Sequence, residues 1–214
     1  MKPFYCQPLQ EKTIESIEKK ISDKADIVEI WLDHLEKIDF KDLKNLKKRV
    51  KKPFLYVCKS KREKGKFSGT EKARIEILAN SEGDYIDVDI KTSAELITKL
   101  ARKSKKLIIS YHNFEKTPKN LTQIYKKMRA FKPDIMKFST KINKSHDIGE
   151  LFALIIRARK DSQPIITIGM GAKGKITRIL APRLGNCLYY APIDARDASA
   201  PGQMTYDELN SYWK

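Results

Sequence analysis

Residues 107–140 read LIISYHNFEKTPKNLTQIYKKMRAFKPDIMKFST. The run Leu107-Ile108-Ile109-Ser110-Tyr111-His112 is short, apolar and β-branched, which suits a strand covered on both faces. Thr117-Pro118 then opens a helix, with proline at an early position where its missing N–H is not needed, running to about Phe131. A second apolar run follows, Asp134-Ile135-Met136-Lys137-Phe138-Ser139-Thr140. Its period of two puts Ile135, Lys137 and Ser139 on one face and Met136 and Phe138 on the other. Strand, helix, strand in so short a span is the unit that joins parallel strands.

The same alternation extends in both directions. Towards the N-terminus, strands are predicted at Phe4–Leu9, Asp26–Asp33, Phe54–Lys59 and Tyr85–Ile90. Helices fall between them at Glu11–Ser22, Phe40–Lys48, Thr70–Leu78 and Ser93–Arg102, the last N-capped by Thr92 or Ser93. Towards the C-terminus come a helix at Ser145–Arg159, a strand at Pro164–Met170 and a glycine turn at Gly171–Gly174. A helix follows from about Lys175, which Pro182 should end or kink. A strand at Cys187–Ile193 and a helix at Thr205–Trp213 complete the chain. About eight strands alternating with about eight helices predict an α/β chain, a single-domain (β/α)8 TIM barrel over residues 1–214. A doubly wound open sheet usually carries a glycine-rich turn after its first strand, and Leu9-Gln10-Glu11-Lys12 has none.

Composition narrows the function. The 214 residues hold 44 Lys+Arg against 27 Asp+Glu, a net charge of +17. The basic residues are spread over expected helix faces and ends: Lys19-Lys20, Lys44–Lys52, Arg102–Lys106 and Lys126-Lys127. That is a solvated surface rather than a nucleic-acid patch, and no nucleic-acid-binding motif accompanies it. Cys6, Cys58 and Cys187 are odd in number and far apart, as free thiols of a reducing compartment are. No secretory leader is read in Met1–Tyr5, and no apolar run reaches membrane-spanning length. The expectation is a soluble, cytoplasmic protein without a membrane partner.

In a barrel of this kind the chemistry sits where the strands end. Those ends carry Asp33 with Glu29 deeper, Lys59 with Glu63 just after it, Asp89, His112 and Lys137. The turn Gly171–Arg178 and the loop Asp197–Gln203 complete the rim. Carboxylates, lysines, a histidine and an arginine around one small space suit an anionic, hydroxylated small molecule. A strand lysine among apolar residues either snorkels to solvent or is held dry. A dry amine has a lowered pKa and attacks carbonyls. One histidine at a strand end is more often structural than catalytic. With three histidines and no HxH or HxxxH spacing, no metal site is expected.

These residues carry a resemblance. Glu29 through Asp33-His34, Lys59-Ser60-Lys61-Arg62-Glu63, Ser110-Tyr111-His112-Asn113-Phe114 with Lys116-Thr117-Pro118, Met136-Lys137, Gly174-Lys175-Ile176-Thr177-Arg178 and Ser199-Ala200-Pro201-Gly202-Gln203 occur in order. In that order and spacing the chain resembles the type I 3-dehydroquinate dehydratases, a shikimate-pathway family, over nearly its whole length. The resemblance implies a hydro-lyase that forms a Schiff base between Lys137 and 3-dehydroquinate, with no metal or organic cofactor. It implies His112 as general acid and base, hydrogen-bonded to and oriented by Glu63. It implies Arg178 on the substrate carboxylate, Ser199 and Gln203 in a closing loop, and Glu29 on substrate hydroxyls. It also implies a homodimer. Trp31 and Lys59 stand where the family usually has arginine, so Lys59 would meet substrate with a charge but no bidentate fork. Asn113 stands where the family often has aspartate. Two other readings fit the residues: a different Schiff-base lyase or aldolase of the same fold, and an inactive basic barrel that binds polyanions.

Overall fold

The computed structural model describes residues 3–214. Eight strands alternate with eight α-helices: β1 Phe4–Leu9, α1 Ile14–Lys20, β2 Ile27–Trp31, α2 Phe40–Val50, β3 Phe54–Val57, α3 Glu71–Asn80, β4 Tyr85–Asp89, α4 Ala94–Ala101, β5 Leu107–Asn113, α5 Leu121–Arg129, β6 Ile135–Lys141, α6 Ser145–Lys160, β7 Ile165–Met170, α7 Lys175–Leu184, β8 Leu188–Tyr190 and α8 Tyr206–Ser211. Every strand pair is parallel, in the order β7-β6-β5-β4-β3-β2-β1-β8. The ring closes at the foot of β7 and β8, where Cys187 N–H donates to the Ile165 carbonyl at 3.0 Å. The expected (β/α)8 barrel is the observed fold.

Local chemistry sets the helix ends. Thr13, Asp39, Thr70, Ser93 and Thr205 each accept a backbone N–H in the first turn of the following helix, replacing a bond that the helix start lacks. Ser93, rather than Thr92, caps α4. Among the boundaries that differ from expectation, three have a local cause. The helix after β5 starts at Leu121, because Thr117 is tied to β6 through Thr140 Oγ1 (2.8 Å) and the Lys141 carbonyl (3.0 Å). Pro182 lies within α7, which runs two residues further and stops at Gly185, φ +133°. Only its own donor is lost there, near an end that was about to finish. β8 ends at Tyr190, before Pro192 removes a ladder donor.

Two apolar layers result. Outward-facing strand residues such as Ile109, Met136 and Phe138 join the core between sheet and helices. Inward-facing Ile27, Leu55, Ile108, Ile135, Ile166 and Leu188 fill the barrel floor. Above this floor the inward positions turn polar: Glu29, Asp87, Ser110 and Lys137, then Lys59, Asp89, His112 and Ser139, all buried. The strand pattern therefore builds a dry base and a charged mouth.

The outer charges are sorted rather than scattered. Helix starts carry Asp42, Glu71, Glu95, Asp147, Asp207 and Glu208. Last turns carry Lys47, Lys48, Arg49, Lys126, Lys127, Arg129, Arg157, Arg159, Lys160 and Arg183. Each placement favours the helix dipole. In a barrel it also puts the basic turns on the face opposite the strand ends. All three cysteines are free.

Candidate active site

Lys137 enters the barrel from the middle of β6. Its side chain is 6 % exposed, yet it is not an isolated dry amine. Nζ lies 3.0 Å from Asp87 Oδ2 and 3.5 Å from Glu29 Oε1, and 4.4 Å above the ring centroid of Tyr190. Burial opposes the ammonium, but Asp87, Tyr190 and Glu29 outweigh it and hold the group well above the ordinary lysine range. The expected lowering by desolvation is thus overturned by two carboxylates that the strand period aims at the same point. Asp87 answers in kind: burial pushes it up, but Lys137, Lys59 and His112 hold it well below the ordinary aspartate range.

His112 ends the inward row of β5. Its Nδ1 lies 3.4 Å from Asp89 Oδ2 and its Nε2 lies 3.3 Å from Lys59 Nζ. An ammonium only donates, so this pairing leaves Nε2 as acceptor and the ring proton on Nδ1, towards Asp89. Burial and the Lys59 charge lower the imidazole below its usual value, against the pull of Asp89. The hydrogen bond expected from Glu63 to His112 is not made. Glu63 accepts from Ser60 N (3.2 Å) and Ser60 Oγ (2.9 Å) and pairs with Arg74 Nη1 at 3.3 Å. Arg74 is itself buried, donating to the Cys58 carbonyl and to Thr92 Oγ1. Asp89 therefore holds the position expected of Glu63. One oxygen each of Glu63 and Asp89 and one ring nitrogen of His112 do lie within 4.8 Å of one another. With the Lys59 and Arg74 cations already against them, that trio is poorly suited to a divalent ion.

Arg178 lies in α7, just past the turn that leaves β7. It is 6 % exposed, and its Nε and Nη2 have no partner. Burial without a counter-charge pulls it down to about 10. A planar guanidinium with free donors inside a pocket is built for a carboxylate. The loop after β8 closes over it. Gln203 Oε1 accepts from Ser199 N (2.7 Å) and Ser199 Oγ (3.1 Å), and Gly171 N–H donates to the Pro201 carbonyl at 3.1 Å. Gly202 makes this docking possible. It sits at φ +75°, and a Cβ there would lie 2.5 Å from the Gly171 carbonyl oxygen. Gly202→Ala should lift the loop: KM for a pocket ligand rises about tenfold while the melting temperature moves by only a few degrees, because the strain is confined to one surface turn. Steady-state kinetics and a thermal melt measure the two.

All eight residues expected from sequence, Lys137, His112, Glu63, Glu29, Lys59, Arg178, Ser199 and Gln203, line one cavity of about 90 Å³, together with Trp31, Lys64, Phe114, Tyr190 and others. Known proteins point the same way. The chain matches the family described as type I 3-dehydroquinase over residues 5–214.

The chain belongs to the type I 3-dehydroquinase family.

A protein of Coxiella burnetii (strain RSA 493 / Nine Mile phase I) named 3-dehydroquinate dehydratase is 34 % identical over 220 residues, covering 99 % of this chain and 93 % of the relative. One of Methanocaldococcus jannaschii with the same name is 32 % identical over 222 residues, covering 98 % and 97 %. The crystal structure of the type I 3-dehydroquinate dehydratase from Clostridium difficile superposes with a TM-score of 0.87 at 26 % identity, covering 99 % of this chain and 90 % of that one.

Within this type I dehydroquinase, sequence reading passed over Asp87, Tyr190 and Arg74 and noted Asp89 only as a strand end. A signal for the aspartates was present. Asp87 and Asp89 alternate on β4, which puts two carboxylates on the inward face of a barrel strand. Asp33 shows the opposite outcome. It belongs to the turn after β2, and its carboxylate accepts the N–H of Lys59 and of Lys66, both at 2.9 Å. It braces the loop that carries Glu63.

Proposed function

We propose that this chain removes water from 3-dehydroquinate to give 3-dehydroshikimate, through a Schiff base on Lys137. The observation that carries the reading is Lys137 buried between Asp87 and Glu29, in one cavity with His112 and the unpartnered Arg178. The described residues, 3–214, form one catalytic domain in this reading.

Arg178 takes the substrate carboxylate and thereby orients the ring. Glu29, 3.5 Å from the amine and lining the cavity, accepts the proton that Lys137 must shed before it can attack. The amine adds to the ketone, and Glu29 returns its proton to the carbinolamine hydroxyl, which leaves as water and gives an iminium beside an ionised Glu29. That cation occupies the place of the ammonium, so Asp87, Glu29 and the Tyr190 ring face stabilise it without rearrangement. The iminium makes the neighbouring carbon acidic. His112, neutral and fixed by Asp89, takes that proton on Nε2 and returns one to the departing hydroxyl. Water then hydrolyses the iminium to release the product and restore Lys137. Glu63, held by Arg74, lines the wall beside His112. Ser199 and Gln203 hold the loop that limits early entry of water. Lys59 adds positive charge for the anionic substrate.

The chain is proposed to work as a cytoplasmic homodimer. No helix among the described residues is long and apolar enough to cross a membrane. Ile176, Leu180 and Leu184 form an exposed apolar stripe on α7 that a second copy would cover.

The test is to mix the protein with 3-dehydroquinate and borohydride and map the adduct by peptide mass spectrometry. A reduced adduct on Lys137, with formation of the enone product in an untreated sample, is expected. A folded protein that yields neither adduct nor product overturns the reading.

A further inference from the structure

Trp31 stands where the resemblance implies arginine, and the structure gives it two contacts at once. Its indole Nε1 donates to Glu29 Oε2 at 3.0 Å. Its ring face lies under Lys59 Nζ, 4.8 Å from the centroid. Those two partners lead to the two halves of the site. Glu29 continues to Lys137 at 3.5 Å, and Lys59 continues to His112 Nε2 at 3.3 Å. Trp31 is buried and lines the same cavity. One side chain thus fixes an anion beside the amine and a cation beside the imidazole.

We infer that Trp31 is a positioning residue: its indole N–H anchors Glu29 beside Lys137, and its ring seats the Lys59 ammonium against His112. The inference deepens the proposed dehydration and rests on it for the roles of Lys137 and His112. An arginine at position 31 could bond Glu29 but would repel Lys59. The tryptophan and the lysine therefore form one matched pair. A lysine suits this seat better than an arginine would, since its compact ammonium gives Nε2 a single donor that an entering substrate can displace.

The groups facing His112 set the direction of the effect. Asp87 and Asp89 face it from β4, Lys59 from the end of β3, Glu63 from the following turn and Lys137 from β6. Of the two cations, Lys59 touches the ring. A cation lowers the pH at which the ring gains a proton, so freeing Lys59 should raise it.

The experiment follows histidine titration by NMR on protein carrying labelled imidazoles; with three histidines, H112N assigns the signal. The kcat–pH profile is measured in parallel. W31M fills the space without a π face and should raise the His112 midpoint, by up to about one unit. The acid limb of kcat should rise with it. W31F keeps the face and should leave the midpoint near wild type, while kcat falls about tenfold through the loosened Glu29. K59M should match or exceed the W31M shift, and adding W31M to K59M should add nothing. A folded W31M with the wild-type midpoint overturns the inference, as does a further shift when W31M is added to K59M. If W31M does not fold, a W31F that shifts the midpoint as far as K59M overturns it, and one that leaves it in place with the tenfold kcat loss supports it. Absence of any turnover by the wild type would instead strike the proposed dehydration, and the NMR shifts would still decide the place of Trp31.

Discussion

Lys137→Ala loses turnover by about 10⁴- to 10⁶-fold, the loss that follows removal of a covalent nucleophile, and it lowers stability as well. The second effect is the more informative. An exposed lysine can be removed at little expense, but Lys137 is the counter-charge for two buried carboxylates, Asp87 at 3.0 Å and Glu29 at 3.5 Å. Breaking a buried pair by removing one partner costs about 3–5 kcal/mol. In a chain of this length that is a fall in Tm of roughly 6–20 °C. The pH dependence gives the cause. In the wild type Asp87 is held below its unfolded value, so its contribution to stability is present above that value and is lost as pH falls through the folded one. Without Lys137 the largest charge opposing the burial of Asp87 is gone, and with only Lys59 and His112 left against burial its folded value rises. Acidification then costs the variant less through Asp87 than it costs the wild type. The deficit relative to wild type should shrink steadily between neutrality and about pH 4. Thermal melts across that range measure it. A constant deficit would mean that the carboxylates are satisfied by something other than the amine.

Arg178→Met should move activity and stability in opposite directions. A charge-assisted pair to the substrate carboxylate is lost, so kcat/KM falls by about two to three powers of ten, mostly in KM, because the contact is made before and during the reaction alike. The folded protein meanwhile loses a buried guanidinium whose Nε and Nη2 have no partner. Replacing it with an apolar side chain of similar length should raise stability by about 1–3 kcal/mol. Binding of a substrate-like carboxylate stabilises the wild type by mass action and should do so far less for the variant. Kinetics with melts at two ligand concentrations test both signs. A variant less stable than wild type would show that the guanidinium supports the fold rather than awaiting an anion.

The barrel was legible because its signal is long-range and repeated. Each strand is short and ambiguous alone, but eight apolar runs with helical spacing between them leave few architectures. Lys137, His112 and Arg178 were legible for a different reason: they fall in short motifs that occur in a recognisable order. What the chain did not reveal is which charges would meet. Asp87 and Lys137 lie fifty positions apart and come together at 3.0 Å only when β4 and β6 flank β5 in the barrel. The sequence left the lysine either snorkelling or dry, and the structure supplies a buried ion pair. The partner of His112 was misjudged for the same reason. Glu63 follows β3 closely and was a reasonable candidate, but buried Arg74 from α3 claims its carboxylate, and Asp89 from β4 is left for the ring. The edges of elements were least legible. Thr117, Pro182 and Pro192 each act through contacts or positions that local preference does not weigh.

The sorting of outer charge by helix end gives the molecule a fixed orientation in an electric field. Its basic turns gather at the closed foot of the barrel, while acidic first turns ring the open end. Laid on an anionic surface, the molecule would settle on its foot with the mouth turned to the solution. It could be held by such a support and remain open to its ligand. A polyanion in free solution would meet the same foot first, leaving the cavity to compete only for anions small enough to enter it.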